Sequence, residues 1–189
     1  MENCGIKTIK SKQLKKHWMV VYTRHRCEKK LHTFLKKQGI ESFLPLYSTV
    51  RQWSDRKKNV ELPLLNGIVF IKVNAKCLND IYKIPLVTGV LKEFGYPGIV
   101  HEQEINNLKI IAREWSGDNV HQVSVKEFYP GDYVRVKRGK FKGLTGCLTE
   151  IKGRFRLVME LNAINTSFVI NLPASQVGKI ASKKEKQVS

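Results

Sequence analysis

The stretch RQWSDRKKNVELPLLNGIVFIKV, residues 51–73, sets a cationic cluster directly against an apolar run. Arg51, Trp53, Arg56, Lys57 and Lys58 crowd its start; LPLLNGIVFI follows, apolar enough for core yet interrupted by Asn66 and Gly67. The flanking runs IESFLPLYSTVRQW (40–53) and NVELPLLNGIVFIKV (59–73) are rich in β-formers, with Ser54 to Lys58 as the polar turn between them. This pattern predicts a β-hairpin whose charged end reaches away from its own domain towards an acidic partner. On the returning strand Ile68 and Phe70 share one face, Val69 and Ile71 the other. A strand apolar on both faces either lies between two layers or carries a binding surface.

Working outward, WMVVYT (18–23) predicts a first strand and RCEKKLHTFLKKQG (26–39) a helix, with Cys27, Leu31, Phe34 and Leu35 on one stripe and Gly39 at its C-terminal cap. Arg26, Lys29, Lys30, Lys36 and Lys37 form the opposite, basic face, which reads either as solvated surface or as an anion contact. A short helical turn (KCLNDIYKI), a strand (VTGVLKEFG, 87–95) and a helix (EQEINNLKIIAREW, 102–115) follow; Ile105, Leu108, Ile111, Ala112 and Trp115 line the inner face of that helix. The order predicts an α+β domain of one antiparallel sheet with helices over residues 17–115, after an unstructured basic leader, 1–16. SGDNVHQVSVKE (116–127) lacks periodicity and reads as a linker. DYVRVKRG, GLTGCLTEI, FRLVMEL and SFVINL are then four short alternating strands, and Val177 belongs to a fifth, predicting a small SH3-like β-barrel over 128–181 before a basic tail, 182–189.

Lys and Arg number 34 against 16 acids in 189 residues, a net charge of +18. Both folded parts share it, with +9 over residues 15–115 and +6 over 128–181, so a single basic tail does not explain the total. Such an excess favours a polyanion, because cations near phosphates release condensed counterions. No long amphipathic helix carries the charge, which disfavours a membrane surface. The four cysteines form no CxxC pair and the five histidines show no metal-ligand spacing; reduced thiols, no metal and no cofactor are expected. The N-terminus has no apolar signal region, so a cytoplasmic location is expected. GKFKGLTG (139–146) does not match a phosphate-binding loop, and no nucleophile, base and orienting group assemble in the sequence. An enzyme is not expected.

HWMVVYTR, LNGIVFIKV, IPLVTGVLKEFG and YPGDYVRVKRGKFKGLTG, in that order over residues 17–180, resemble the NusG-type transcription elongation factors, in which an NGN domain precedes a KOW domain. VRQWSDRKK resembles the specialised UpxY-type antiterminators of capsular and exopolysaccharide operons. The resemblance implies a monomeric factor that docks on the clamp helices of RNA polymerase's largest subunit and suppresses pausing and termination. Tyr22, Pro63, Leu65, Ile68 and Phe70 match its docking positions, with Leu65-Asn66-Gly67-Ile68 in place of the common aromatic-Pro-Gly-Tyr. Arg24, Lys30, Lys37 and Gln38 match positions that meet the non-template DNA strand; helical geometry puts Lys30 and Lys37 on the same edge as Arg26, and Gln38 nearer the apolar side. Arg51, Arg56, Lys57 and Lys58 would extend that field to upstream DNA, with Trp53 stacking on a base or packing locally. Arg135, Lys137, Arg138, Lys140 and Lys142 form a basic rim for nascent or ribosomal RNA, and Ile164 stands near the position that contacts a ribosomal protein or Rho. A general NusG-like elongation factor and an RNA- or ribosome-binding KOW protein are the alternatives.

Overall fold

The computed structural model describes residues 15–53, 55–115, 120–124, 131, 133–151, 154–172 and 176–179. Nearly all of the expected leader, and the whole expected tail, lie outside the described residues. At the centre of the N-terminal part is β1 (His17–Thr23), in an antiparallel sheet of order β2 (Glu41–Phe43), β5 (Ile68–Val73), β1, β6 (Val87–Val90), with β9 (Ile99–Val100) also pairing along β1. The β1–β5 register sets Tyr22 opposite Ile68, Val20 opposite Phe70 and Trp18 opposite Lys72.

Strand alternation deals Met19, Val21, Val69 and Ile71 to one face, where Leu31 and Leu35 of α1 (Glu28–Lys37) and Leu78 and Ile81 of α2 (Leu78–Tyr82) complete a core. It deals Trp18, Val20 and Phe70 to the other, where Ile105, Leu108, Ile111 and Ala112 of α3 (Glu102–Glu114) complete a second. The two-sided apolarity of β5 therefore comes from lying between two helical layers. Glu102 of α3 accepts from Trp18 Nε1 (2.9 Å) and Lys72 Nζ (3.1 Å), which pins the start of the helix to the sheet.

The expected hairpin is present, but it separates from the core strand. β3 (Leu46–Gln52) and β4 (Lys57–Pro63) make a two-stranded sheet of their own. Leu64 and Leu65 then turn into the interior before β5 begins, so 59–73 is two strands and a corner. Residues 87–95 divide similarly, into β6 and the first half of a small hairpin, β7 (Lys92–Glu93) with β8 (Tyr96–Pro97).

The C-terminal part is a six-stranded antiparallel sheet of order β10 (Val120–Ser124), β14 (Thr166–Asn171), β13 (Arg154–Leu161), β12 (Thr145–Ile151), β11 (Tyr133–Val136), β15 (Val177–Lys179). As the alternation predicts, Val134 and Val136 are buried while Arg135 and Lys137 face solvent, and Val177 begins the fifth predicted strand. Of the expected linker, residues 116–119 and 125–127 lie outside the described residues, and the middle is a strand. Val120–Ser124 pair along β14 from Val120↔Ile170 to Ser124↔Thr166, a main-chain contact that needs no side-chain periodicity to announce it.

The two parts meet at α3. Leu157, Met159, Phe168 and Ile170 of the C-terminal sheet belong to the same continuous apolar cluster as Phe70 and the inner residues of α3. Buried Asn107 donates through Nδ2 to Thr145 O (2.9 Å) and accepts from Thr145 N at Oδ1 (3.2 Å). Buried Glu104 accepts from Asn162 N (3.1 Å) and, one turn back, from His101 N (2.8 Å). The Trp115 ring stands between Tyr47 (centroids 5.5 Å apart) and Phe168 (6.2 Å, edge-on).

Candidate functional site

The corner that interrupts the opening stretch is tied to the end of β1 and the start of α1. Gly67 N donates to the buried carboxylate of Glu28 (2.7 Å), and Thr23 N donates to Gly67 O (2.9 Å). Gly67 holds φ +70°, a region that L side chains rarely adopt. Glycine and its carboxylate partner thus set the ends of β1 and β5 side by side. What they present is the cross-strand pair Tyr22 and Ile68, with Tyr22 36% exposed and Ile68 half-buried. Pro63 is half-buried nearby in sequence.

Two residues expected in a docking surface are not on it. Leu65 (3% exposed) and Phe70 (0%) are core. Phe70 faces α3 and Phe43, whose ring lies 6.1 Å away, because β5 is an inner strand with a helix on each side. The accessible apolar surface at this corner is therefore smaller than the strand pattern implied.

Cations follow on the turn after β1 and along α1, which covers the opposite face of the sheet. Arg24, Arg26, Lys30, Lys37 and Gln38 are all exposed, and Arg26 sits at φ +59° in the turn between β1 and α1 that is closed by Cys27 N to Arg24 O (3.0 Å). Among the described residues Lys29 pairs with Glu61 (3.5 Å), whereas Arg24, Arg26, Lys30, Lys36 and Lys37 take part in no ion pair. Phe34, expected on the apolar stripe of α1, is 39% exposed instead; the helix's buried apolar residues are Leu31 and Leu35. His32 faces Ser42 Oγ (3.0 Å), and burial, aided by the Lys36 ammonium, pulls its pKa below the ordinary histidine value. Only a protonated imidazole loses by those surroundings.

Arg51, Trp53, Arg56, Lys57 and Lys58 are all exposed at the end of the β3–β4 hairpin, which Trp53 N closes by donating to Arg56 O (2.8 Å). Arg51 lies directly across from Lys58 and Gln52 across from Lys57. Like charges in opposed cross-strand positions destabilise an isolated hairpin, so this tip gains from an anion. Trp53 is 54% exposed, which leaves part of its surface accessible for stacking and part of it covered.

In the C-terminal sheet Arg135, Lys137, Arg138, Lys140 and Lys142 are exposed along β11 and the turn after it, around buried Phe141. Ile164 is half-buried in the turn before β14 and packs on the central cluster. A cleft of about 350 Å³ between α3 and this sheet is lined by His101, Glu104, Tyr133, Cys147 and Glu160 among others. Burial, then the neighbouring Glu160 carboxylate, raises the Cys147 pKa and keeps the thiol protonated. At the far end of the α3 contact, the hydrogen bond from Lys72 holds the Glu102 carboxyl below its ordinary range. Among the described residues no cluster of His, Cys, Asp and Glu could hold a metal ion, and no helix is long and apolar enough to cross a membrane.

Residues 16–109 match the family model described as "NusG: Transcription termination factor nusG". Among solved structures the chain is similar to one described as "Domain interaction in Thermotoga maritima NusG", at 24% identity and a TM-score of 0.45, covering 88% of this chain and 98% of that chain. No curated protein matches the chain. The matched span runs from the start of β1 into α3 and takes in the Glu28–Gly67 corner, the β3–β4 hairpin and the basic face of α1. Over residues 16–109, just under half of its length, the chain is similar to the NusG family.

Proposed function

We propose that this chain is a non-catalytic transcription elongation and antitermination factor that binds RNA polymerase through its N-terminal domain. The observation that carries this reading is the corner at Tyr22 and Ile68: an accessible apolar pair at a turn held by Glu28 and Gly67, with exposed Arg24, Arg26 and Lys30 on the turn and helix that follow β1. The apolar pair takes the clamp helices of the polymerase's largest subunit. The α1 cations track the non-template strand, and the hairpin tip reaches upstream DNA. Phosphates need only positioned charges, which the basic edge supplies. The protein acts by shifting polymerase between paused and active states, with its own chemistry playing no part. The C-terminal sheet, a KOW-type barrel on this reading, offers its basic rim to RNA, with a ribosomal protein or Rho as its recruit.

Binding of the full chain to isolated clamp helices tests the docking step. Tyr22→Ala is expected to weaken it by about tenfold or more, the ordinary effect of truncating an aromatic anchor; unchanged affinity would remove this face. The nucleic-acid step has its own measurement. Replacing Lys57 and Lys58 by glutamine should lower the slope of log affinity against log salt by about 1.4–1.8 on DNA, since each cation released from phosphate contact counts about 0.7–0.9. Specialisation for polysaccharide operons predicts polymerase-associated occupancy confined to a few operons, whereas a general elongation factor would be spread across the genome. Recovery of ribosomal particles without polymerase would favour an RNA-binding KOW protein.

A further inference from the structure

The β7–β8 hairpin is built around a residue that its own geometry disfavours. Glu93 pairs with Tyr96, leaving Phe94 and Gly95 as a two-residue loop with φ +48° and +85°. Two positive φ values in succession are the province of Asn-Gly or Gly-Gly, because a bulky side chain crowds its own backbone in the left-handed region. Phe94 nevertheless occupies the first position, and it is fully exposed, so no contact within the described chain offsets the strain. Tyr96 beside it is 77% exposed. The root, by contrast, is fixed: Leu91 N donates to Val20 O (3.0 Å), Gly98 N to Leu91 O (2.9 Å), and the Leu91 side chain packs on the central apolar cluster. A rigid stem thus holds an aromatic tip out into solvent. Backbone strain that internal packing does not explain points to a partner.

The local charge says which kind of partner. Lys92 and Glu93 cancel within the hairpin; Lys92 Nζ lies over the Tyr82 ring (5.9 Å) and Lys83 pairs with Asp80 (2.9 Å). Stacking platforms for nucleic acid sit in cationic grooves. This tip has none, although the same chain places free cations on α1 and on the β3–β4 tip. An apolar concavity on a protein is the complement of such a knob. Its position is also informative. β6 pairs with β1 from Thr23↔Val87 through Tyr22↔Gly89 to Val21↔Val90, and the small hairpin springs from the next residues. Its root is therefore two residues, about 7 Å, along the sheet from Tyr22.

We infer that Phe94, flanked by Tyr96, is a second anchor on the same partner as Tyr22, inserting into an apolar pocket of RNA polymerase outside the clamp-helix contact. This rests on the polymerase reading above. Equilibrium binding of the full chain to purified RNA polymerase, alongside thermal unfolding, tests it with the native chain, Phe94→Asn and Tyr22→Ala. Phe94→Asn should lose about tenfold in affinity while its Tm holds or rises, because asparagine suits the left-handed position; loss of fold cannot produce that combination. Phe94→Asn should also leave affinity for isolated clamp helices unchanged. Native affinity for polymerase in Phe94→Asn would overturn the inference while leaving the docking face intact. A variant that instead lost affinity only for a single-stranded oligonucleotide would overturn it in favour of base stacking. Absence of polymerase binding by the native chain would overturn both readings.

Discussion

Phe70→Ala is expected to destabilise the protein by about 3–5 kcal/mol, the usual cost of emptying a fully buried aromatic site, or a fall in Tm of roughly 6–20 °C for a chain of this size. The ring is wholly buried on an inner strand, between the sheet and α3, and contacts Phe43. The helix is not free to move in and fill the space, since α3 is itself held from its other side by the C-terminal sheet. Tyr22→Ala removes a side chain already in contact with solvent and should shift Tm little. The pair separates stability from recognition. A drop in polymerase binding caused by Phe70→Ala would reflect damage to the sheet, whereas the same drop from Tyr22→Ala at native Tm would report the contact itself. Calorimetry of both variants before any binding measurement checks this; a Phe70→Ala protein that melts with the native chain would show that the inner layer is looser than described.

The second large effect is expected at Asn107. Its side-chain amide bonds both main-chain groups of Thr145 and also lies 3.2 Å from Thr145 Oγ1, so α3 lends β12 a side-chain substitute for a neighbouring strand. Asn107→Ala leaves a buried N–H and a buried C=O without partners, each costing about 1–3 kcal/mol. The expected sum, about 2–6 kcal/mol, falls on the contact between α3 and the C-terminal sheet more than on either part alone. Amide hydrogen exchange should therefore accelerate at Thr145 and along β12 well before β1 and β5 are affected. Exchange that rose equally in all strands would mean that the two parts unfold as one unit.

Much of this architecture was legible because its signals are local. The apolar spacing of Ile105, Leu108, Ile111 and Ala112 marks α3, and the alternation around Val134 and Val136 marks β11. What was not legible depends on distant layers. Ile68–Val73 reads the same whether a helix or a partner covers each face, and only the placement of α3 decides that Phe70 is interior. Asn107 looks like a solvent residue in its own helix; its partner is 38 residues away. Val120–Ser124 carries no strand pattern, because its place in the sheet comes from main-chain pairing with β14. Phe94 was hidden inside a run that reads as strand, and only its φ and exposure set it apart. The cationic surfaces were the most transparent part, since uncompensated charge is rarely buried.

Trp115, wedged between Tyr47 and Phe168, joins three pieces of the molecule at one ring. Tyr47 is at the base of a seven-residue strand, β3, so the tip extends about 20 Å beyond that pivot at about 3.3 Å per residue. A tilt of about 10° at the pivot, were Phe168 to slide under the indole, would sweep the tip guanidinium and ammonium groups through about 3.5 Å, close to the spacing of successive charges along one strand of a duplex. The position of the hairpin tip is thus set by how one indole ring packs against the C-terminal sheet.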